Sequence, residues 1–291
     1  MQKKWILPYF SLSLAALCLL SNCRQETIVP EINFELSIEK IGKFPREVNE
    51  CSGFFFEQEQ LFIINDGGSD PVLHQTSLNQ VNQTEIIMLP DVINFDWEAI
   101  TSTDNEIIIG DFGNNFGNRT ILQLLHFDKE NYSLNQTVPF LYPQQTFQLS
   151  NTHNFDCEAF IIKDDRYHLF TKNRGNKQTN LYTASLGSSD FALLDSIEVP
   201  VLITDAYYFQ PKGMVLLLGN QLSAGGFQSY ISILQFKDDS TLEVLQHLPL
   251  AINEQVEAIT LKSENVFLVG SEKENTTGTG GNLYEVTIEG L

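Results

Sequence analysis

Short apolar runs alternate with polar turns along almost the whole chain, and the stretch from Asn94 to Asn115 shows the plan most clearly. Two acids, Asp96 and Glu98, lead into an apolar run. A polar turn, Ser102-Thr103-Asp104-Asn105, separates it from a second run, Ile107–Gly110, which ends on Asp111 and the amides Asn114 and Asn115. Alternating β-branched residues bounded by turn chemistry predict a β-hairpin. A hairpin brings the end of its second strand level with the start of its first. Asp96, Glu98 and Asp111 are therefore expected to share one edge.

The plan recurs five times, with anchors Glu50–Phe54, Asp96–Ile100, Asp156–Phe160, Ile203–Tyr207 and Gln255–Ile259. Their central residues, Ser52, Glu98, Glu158, Asp205 and Glu257, are spaced 46, 60, 47 and 52 residues apart. Each is followed by Gly or Ala and then a large apolar residue. A second run ends 13 to 15 residues later, near Asp66, Asp111, Lys172, Asn220 and Glu272, and a Gly-rich loop follows it. Third strands are expected near Val72, Ile121, Leu181, Tyr230 and Leu283, and fourth strands at 85–89, 146–149, 192–199 and 242–248. Four short strands in a unit of roughly 50 residues mark a β-propeller blade. The expected fold is all-β, a five-bladed propeller, and the long second spacing leaves six blades open. The fifth unit has only three strands, and a strand-like segment at 34–41 supplies the fourth. That N-terminal strand is expected to close the ring and cover an edge that an open array would expose. Residues 34–291 form one domain on this reading.

Ahead of the propeller, Lys3 and Lys4 precede an apolar run from Trp5 to Leu20 that ends in Leu20-Ser21-Asn22-Cys23. Charged, apolar and small-polar regions in that order mark an export signal, too short to be read first as a membrane-spanning helix. The last four residues resemble a bacterial lipobox, with Asn22 where Gly, Ala or Ser is usual. The reading is a lipoprotein signal peptide over 1–22, lipidation at Cys23 and a tether over 23–33, with a plain secretory signal as the alternative. It implies an exported monomer anchored by lipid to the bacterial outer membrane, touching the membrane only through the anchor. Composition narrows the partners. With 37 acidic against 17 basic residues the net charge is −20, which argues against nucleic acid and anionic membrane surfaces. The acids are dispersed and 42% of residues are apolar, enough for a packed core. Cys51 and Cys157 have no zinc-ligand spacing and read as small buried residues.

In a propeller each innermost strand starts, and each second strand ends, on the same face. Ser52, Glu98, Glu158, Asp205 and Glu257 are then expected around the axis, with Asp66, Asp111, Asn220 and Glu272 near the same rim. Carboxylates converging in a funnel repel, so some hold protons or cations neutralise them. Oxygen donors without paired histidines suit Ca²⁺ rather than Zn²⁺. The competing reading is structural, each acid pinning the next blade through backbone N–H groups. Lys172, Arg174 and Arg119 break the acidic pattern. They can clamp an anion or pair with Asp96, Asp156 or Glu158. Asn114 lies in Gly113–Gly117, a turn whose amides can face the pocket; no helix follows it, so it is no phosphate loop. Trp97, Phe116, Tyr207 and Tyr208 are aromatics for sugar stacking or, more simply, for packing between blades. No nucleophile–base constellation is visible, so an enzyme here would work through metal and carboxylates.

The stretches CSGFFFEQEQLFIINDGGSD, FDWEAITSTDNEIIIGDFGNNFGNR, FDCEAFIIKDDRYHLFTKNRGN and QVEAIT resemble a group of secreted or lipoprotein β-propellers of Bacteroidota-type bacteria, mostly of unassigned function. A fainter likeness is to the calcium-activated nucleotidase and gluconolactonase propellers, which carry an axial cation held by inner-strand acids. That likeness implies Glu98, Glu158 and Glu257, with Ser52, as Ca²⁺ ligands. The expected function is a cell-envelope lipoprotein whose acidic, Ca²⁺-occupied funnel binds a small-molecule or surface ligand. The alternative is a Ca²⁺-dependent hydrolase of phosphate esters or lactones, with Lys172, Arg174 and Arg119 holding the anion. A third reading is a carbohydrate-binding surface propeller.

Overall fold

The structure, a computed structural model, describes Met1 and residues 33–223, 226–238, 240–273 and 280–291. The expected signal peptide, Cys23 and all but the last residue of the tether lie outside the described residues. No helix of the described residues is long and apolar enough to cross a membrane.

The chain opens with β1 (Glu35–Lys43). The first blade follows as β2 (Cys51–Glu57), β3 (Gln60–Asn65), β4 (Val72–Ser77) and β5 (Glu85–Met88). The second is β6 (Trp97–Ser102), β7 (Glu106–Asp111), β8 (Leu122–Asp128) and β9 (Leu134–Phe140). The third is β10 (Cys157–Lys163), β11 (Arg166–Thr171), β12 (Gln178–Ser185) and β13 (Ala192–Glu198). The fourth is β14 (Leu202–Phe209), β15 (Met214–Ser223), β16 (Gly226–Phe236) and β17 (Leu242–Leu250). The fifth joins β18 (Val256–Ser263), β19 (Val266–Ser271) and β20 (Asn282–Glu289) to β1. Among the described residues these make five four-stranded sheets, a five-bladed propeller. The inner strands β2, β6, β10, β14 and β18 neighbour one another in that order, and β18 returns to β2.

The chain forms these strands because each blade is covered on both faces by its neighbours. Inner and second strands therefore read as unbroken apolar runs, such as Ile107-Ile108-Ile109 in β7, all buried. The core is a set of layers between blades. Trp97, Ile109 and Phe127 of the second blade, for example, pack against Ile64 and Leu73 of the first. Each such side chain contributes about 1.5–3 kcal/mol by leaving water. Cys51 and Cys157 are free thiols buried in this core.

Closure is as expected. β1 runs antiparallel to β20, with Glu35 opposite Glu289 and Lys43 opposite Asn282. The second blade differs from expectation. Its fourth strand is β9, not 146–149, and residues 141–156 form a loop that accounts for the long 60-residue spacing without a sixth blade. Pro139 is tolerated inside β9 because β9 is the outermost strand, where a missing donor breaks no second ladder.

One irregularity repeats in every blade. The pairing register slips between Cys51 and Gly53, Trp97 and Ala99, Cys157 and Ala159, Ile203 and Asp205, and Val256 and Ala258. The extra residue is Ser52, Glu98, Glu158, Thr204 or Glu257, and a bulge of this kind re-aims one side chain. In the fourth blade that residue is Thr204. Asp205 takes the place that is Gly or Ala elsewhere.

Deleting residues up to Lys43 removes β1 and strips Leu36 and Ile38 from the last blade's core. The unfolding midpoint should fall by about 10 °C or more, or cooperativity should vanish. A truncated protein melting with the parent would contradict closure by β1.

Candidate functional site

The bulges place their side chains at one end of the ring, where β3 and β7 also end. Three carboxyls meet there between the first two blades: Asp66 just after β3, Asp96 just before β6, and Glu98 on the bulge of β6. One oxygen from each lies within 4.8 Å of the other two. Glu98 is 5% exposed and takes part in no hydrogen bond or ion pair among the described residues. Two glycines make room. A Cβ at Gly113 would collide with Glu98 Oε1 and the Asp96 carboxyl, and one at Gly67 would stand 2.6 Å from Asp96 Oδ1. Gly113 N–H also donates to the Asp96 carbonyl at 3.2 Å.

Crowding shows in the acidities. Burial pushes Asp66 up to about 7, with the Gly67 N–H opposing and Asp96 adding to the rise. Burial lifts Asp96 to about 6 against the pull of Arg119. Glu98 is held well above the carboxylate range by burial, then by Glu158 and Asp66.

On the other side of the mouth the protein supplies its own cation. Lys172 Nζ lies 3.0 Å from Glu158 Oε2, and Glu257 and Glu98 also act on it. Burial alone would lower this lysine, but those carboxylates hold it above its usual range. Burial pushes Glu272 up to about 7 and Glu257 higher than an ordinary carboxyl, with Lys172 opposing both shifts. Arg119 binds Asp111 at 2.8 Å, the Gly113 carbonyl at 2.7 Å, and sits 3.9 Å from Asp96. Arg174 is paired with Asp156, donates to Asn115 Oδ1 at 2.7 Å, and lies 3.9 Å from Glu158. All three cations are thus engaged internally, as the pairing alternative expects.

The remaining residues singled out in the sequence divide by role. Ser52 Oγ donates to the Trp97 carbonyl at 2.7 Å, and Thr204 Oγ1 donates to the Val256 carbonyl at 2.8 Å. Asp205 accepts from the Ile259 N–H at 2.7 Å and the Ala206 N–H at 2.8 Å, so it joins the fourth blade to the fifth and does not share the position of the glutamates. Asn220 grips Val256 from both sides, donating to its carbonyl at 2.8 Å and accepting from its N–H at 3.2 Å. Asp111, fully buried, accepts from the Asp96 N–H, Gln123 and Arg119. Asn114 donates to the Phe155 carbonyl, accepts from the Arg119 N–H, and through its own N–H reaches Asp156. Trp97 is wholly buried, whereas Phe95 and Phe116 are exposed beside the mouth loops.

The donor set fits a hard cation at Asp66, Asp96 and Glu98. Carboxylate oxygens converge there, those of Glu98 without a donor among the described residues, and no histidine or thiol belongs to the cluster. The five anchors do not converge as one cage: Ser52 and Asp205 are spent on backbone groups, and Glu158 faces Lys172. Sequence reasoning marked Asp96 as an acid of the anchor without placing it in the ligand set. Its spacing of two from Glu98 was the available signal.

Two outcomes follow at this mouth. A carboxyl raised in the folded state lends stability that is complete below its unfolded value and is lost as pH rises through the folded one. Relative to the parent in chelator, Asp66→Asn should therefore gain stability as pH rises from about 5 to about 8; thermal scans showing a constant difference would contradict the raised value. Lys172→Met should cost about 3–5 kcal/mol in denaturant titrations near pH 8, because it leaves buried carboxylates unpaired, and less at pH 5.

No protein-family model matches the chain, and no curated protein matches it. Solved structures match by fold. The exo-β-1,3-galactanase of Clostridium thermocellum superposes with a TM-score of 0.58 at 12% identity, over 85% of this chain and 61% of that one. The catalytic domain of the Coprinopsis cinerea GH62 α-L-arabinofuranosidase gives 0.57 at 10% identity, over 88% of this chain and 97% of that one. The PQQ-bound aldose sugar dehydrogenase of Streptomyces coelicolor gives 0.52 at 9% identity, over 89% and 99%. At such identities the likeness is one of fold: this chain shares the β-propeller architecture of glycoside hydrolases and sugar dehydrogenases.

Proposed function

We propose that the propeller is a Ca²⁺-dependent binding module whose mouth, between the first two blades, takes an oxygen-rich ligand. The observation that carries this reading is the convergence of Asp66, Asp96 and Glu98, with Glu98 lacking a hydrogen-bond donor among the described residues. Those three residues would hold the ion, and Gly67 and Gly113 keep the space beside them open. Ca²⁺ accepts more oxygens than three side chains offer, so ligand hydroxyls or carboxylates complete its shell. Lys172 serves the opposite side of the mouth, which moves the cation off the axis relative to the set Ser52, Glu98, Glu158, Asp205 and Glu257. The order of charged, apolar and Cys23 segments supports an exported, lipid-anchored protein acting at the cell envelope.

A hydrolase is the second reading, favoured by the adjacent Asp66 and Asp96, raised to about 7 and about 6. Groups titrating near neutrality suit general acid–base work. The bond attacked would be glycosidic rather than a phosphate ester, because Lys172, Arg174 and Arg119 are spent on Glu158, Asp156 and Asp111. The sugar-directed names of the structural neighbours support the same substrate class.

Saturating Ca²⁺ should raise the unfolding midpoint of the purified protein by about 5–10 °C over chelator, as expected for an ion at about 100 times its Kd. Asp96→Asn with Glu98→Gln, or Gly113→Ala alone, should abolish the shift. A Ca²⁺-independent midpoint in the parent would sink the proposal. Release of nitrophenol from neutral aryl glycosides, lost in Asp66→Asn, would favour the second reading.

A further inference from the structure

The inner strands continue past the acidic mouth and enclose a second space. All five contribute, through residues 54–56, 100–103, 160–162, 206–208 and 259–262, each stretch further along its strand than the bulge. The cavity therefore lies on the axis at the far end of the ring from Asp66, Asp96 and Glu98. Its volume is about 640 Å³, within the range of small-molecule sites.

Its chemistry is the opposite of the mouth's. In a chain of net charge −20 no carboxylate lines this space. The one charged side chain among its described lining residues, Lys262, is paired with Glu285. The uncharged polar side chains of the wall are the Gln210 amide and the hydroxyls of Thr101, Ser102, Thr103, Tyr207, Tyr208 and Thr260; Thr103 is bonded to Glu106, and the other five hydroxyls remain. None of these five hydroxyls bonds to another described residue, and their oxygens face the open space of the cavity. Their oxygens stay open to the cavity's water, which a ligand hydroxyl can replace without leaving a protein group unpaired. Burial alone raises the Tyr207 phenol, consistent with the lack of a protein partner. Phe56 is the partly exposed phenylalanine of the wall, beside Tyr207 and Tyr208, whereas Phe54, Phe55 and Phe160 are buried between blades.

We infer that this far-end cavity binds an uncharged, hydroxyl-rich ring, one or two neutral sugar units in size. Aromatic faces take the C–H side of such a ring, and the wall hydroxyls take its O–H groups. A carboxylate-free wall offers nothing to an amino sugar and no counter-charge to a uronic acid. The site is separate from the proposed cation site and does not depend on it.

The test uses purified protein in chelator, which silences the mouth. Saturation-transfer NMR would be run with galactose, arabinose, lactose and cellobiose, with glucosamine and glucuronate as charged controls. At least one neutral sugar should bind and the charged ones should not. Tyr207→Phe with Thr260→Val, which keeps shape and removes two hydroxyls, should weaken binding at least tenfold at an unchanged unfolding midpoint. Glu98→Gln should leave binding intact. Absence of binding by every neutral sugar, survival of binding in the double variant, or its loss in Glu98→Gln would each overturn the assignment.

Discussion

Like charges held together set the terms for one end of this molecule. Two carboxylates about 4 Å apart repel by about 4 kcal/mol at the effective dielectric of a protein surface, and the mouth gathers Asp66, Asp96, Glu98, Glu158, Glu257 and Glu272 into mutual reach. The surrounding structure answers that repulsion in different ways on the two sides. Around Glu158 and Glu257 the answer is covalent to the chain, the Lys172 ammonium at the end of β11. Around Asp66, Asp96 and Glu98 it is protons or a visiting cation, in a space that two glycines leave clear.

The same bulge that creates the problem also builds the ring. Where the bulged residue is Ser52 or Thr204, its hydroxyl bonds the backbone of the next blade, and no charge is introduced. Asp205 and Asn220 add further bonds at the fourth joint, giving it the densest backbone pinning of the anchors. Blades three and four thus meet the mouth with a lysine and a threonine, and blades one and two with open carboxylates. The asymmetry gives a repeated fold one distinctive sector.

Much of this was legible from residue order. Short apolar runs punctuated by turn residues at a repeating spacing marked the blades, and the three-stranded last unit required β1 to complete it. The fourth strand of the second blade was misplaced because 146–149 lies next to the following anchor, where other blades have theirs, while Pro139 disguised β9. Asp205 was taken for the anchor centre because an acid followed by Ala matched the repeat; the bulge at Thr204 is a matter of pairing register, which one strand cannot reveal. That Lys172 faces Glu158 and not a ligand depends on side-chain distances across the ring. The far-end cavity was illegible for the same reason, since Tyr207 and Thr260 come from strands that only the closed ring brings together.

Closure by β1 also bears on how the molecule assembles. Glu35 and Glu289 pair directly although nearly the whole domain separates them in sequence. The strand synthesised first must wait for the one synthesised last, and contacts of such long range are slow to form. Four blades can pair from neighbouring segments as they emerge, but the fifth cannot, and until it does both flanking edges stay open to other chains. Ring closure is then the committed step of folding, and the interval before it is when this protein is most exposed to misassembly.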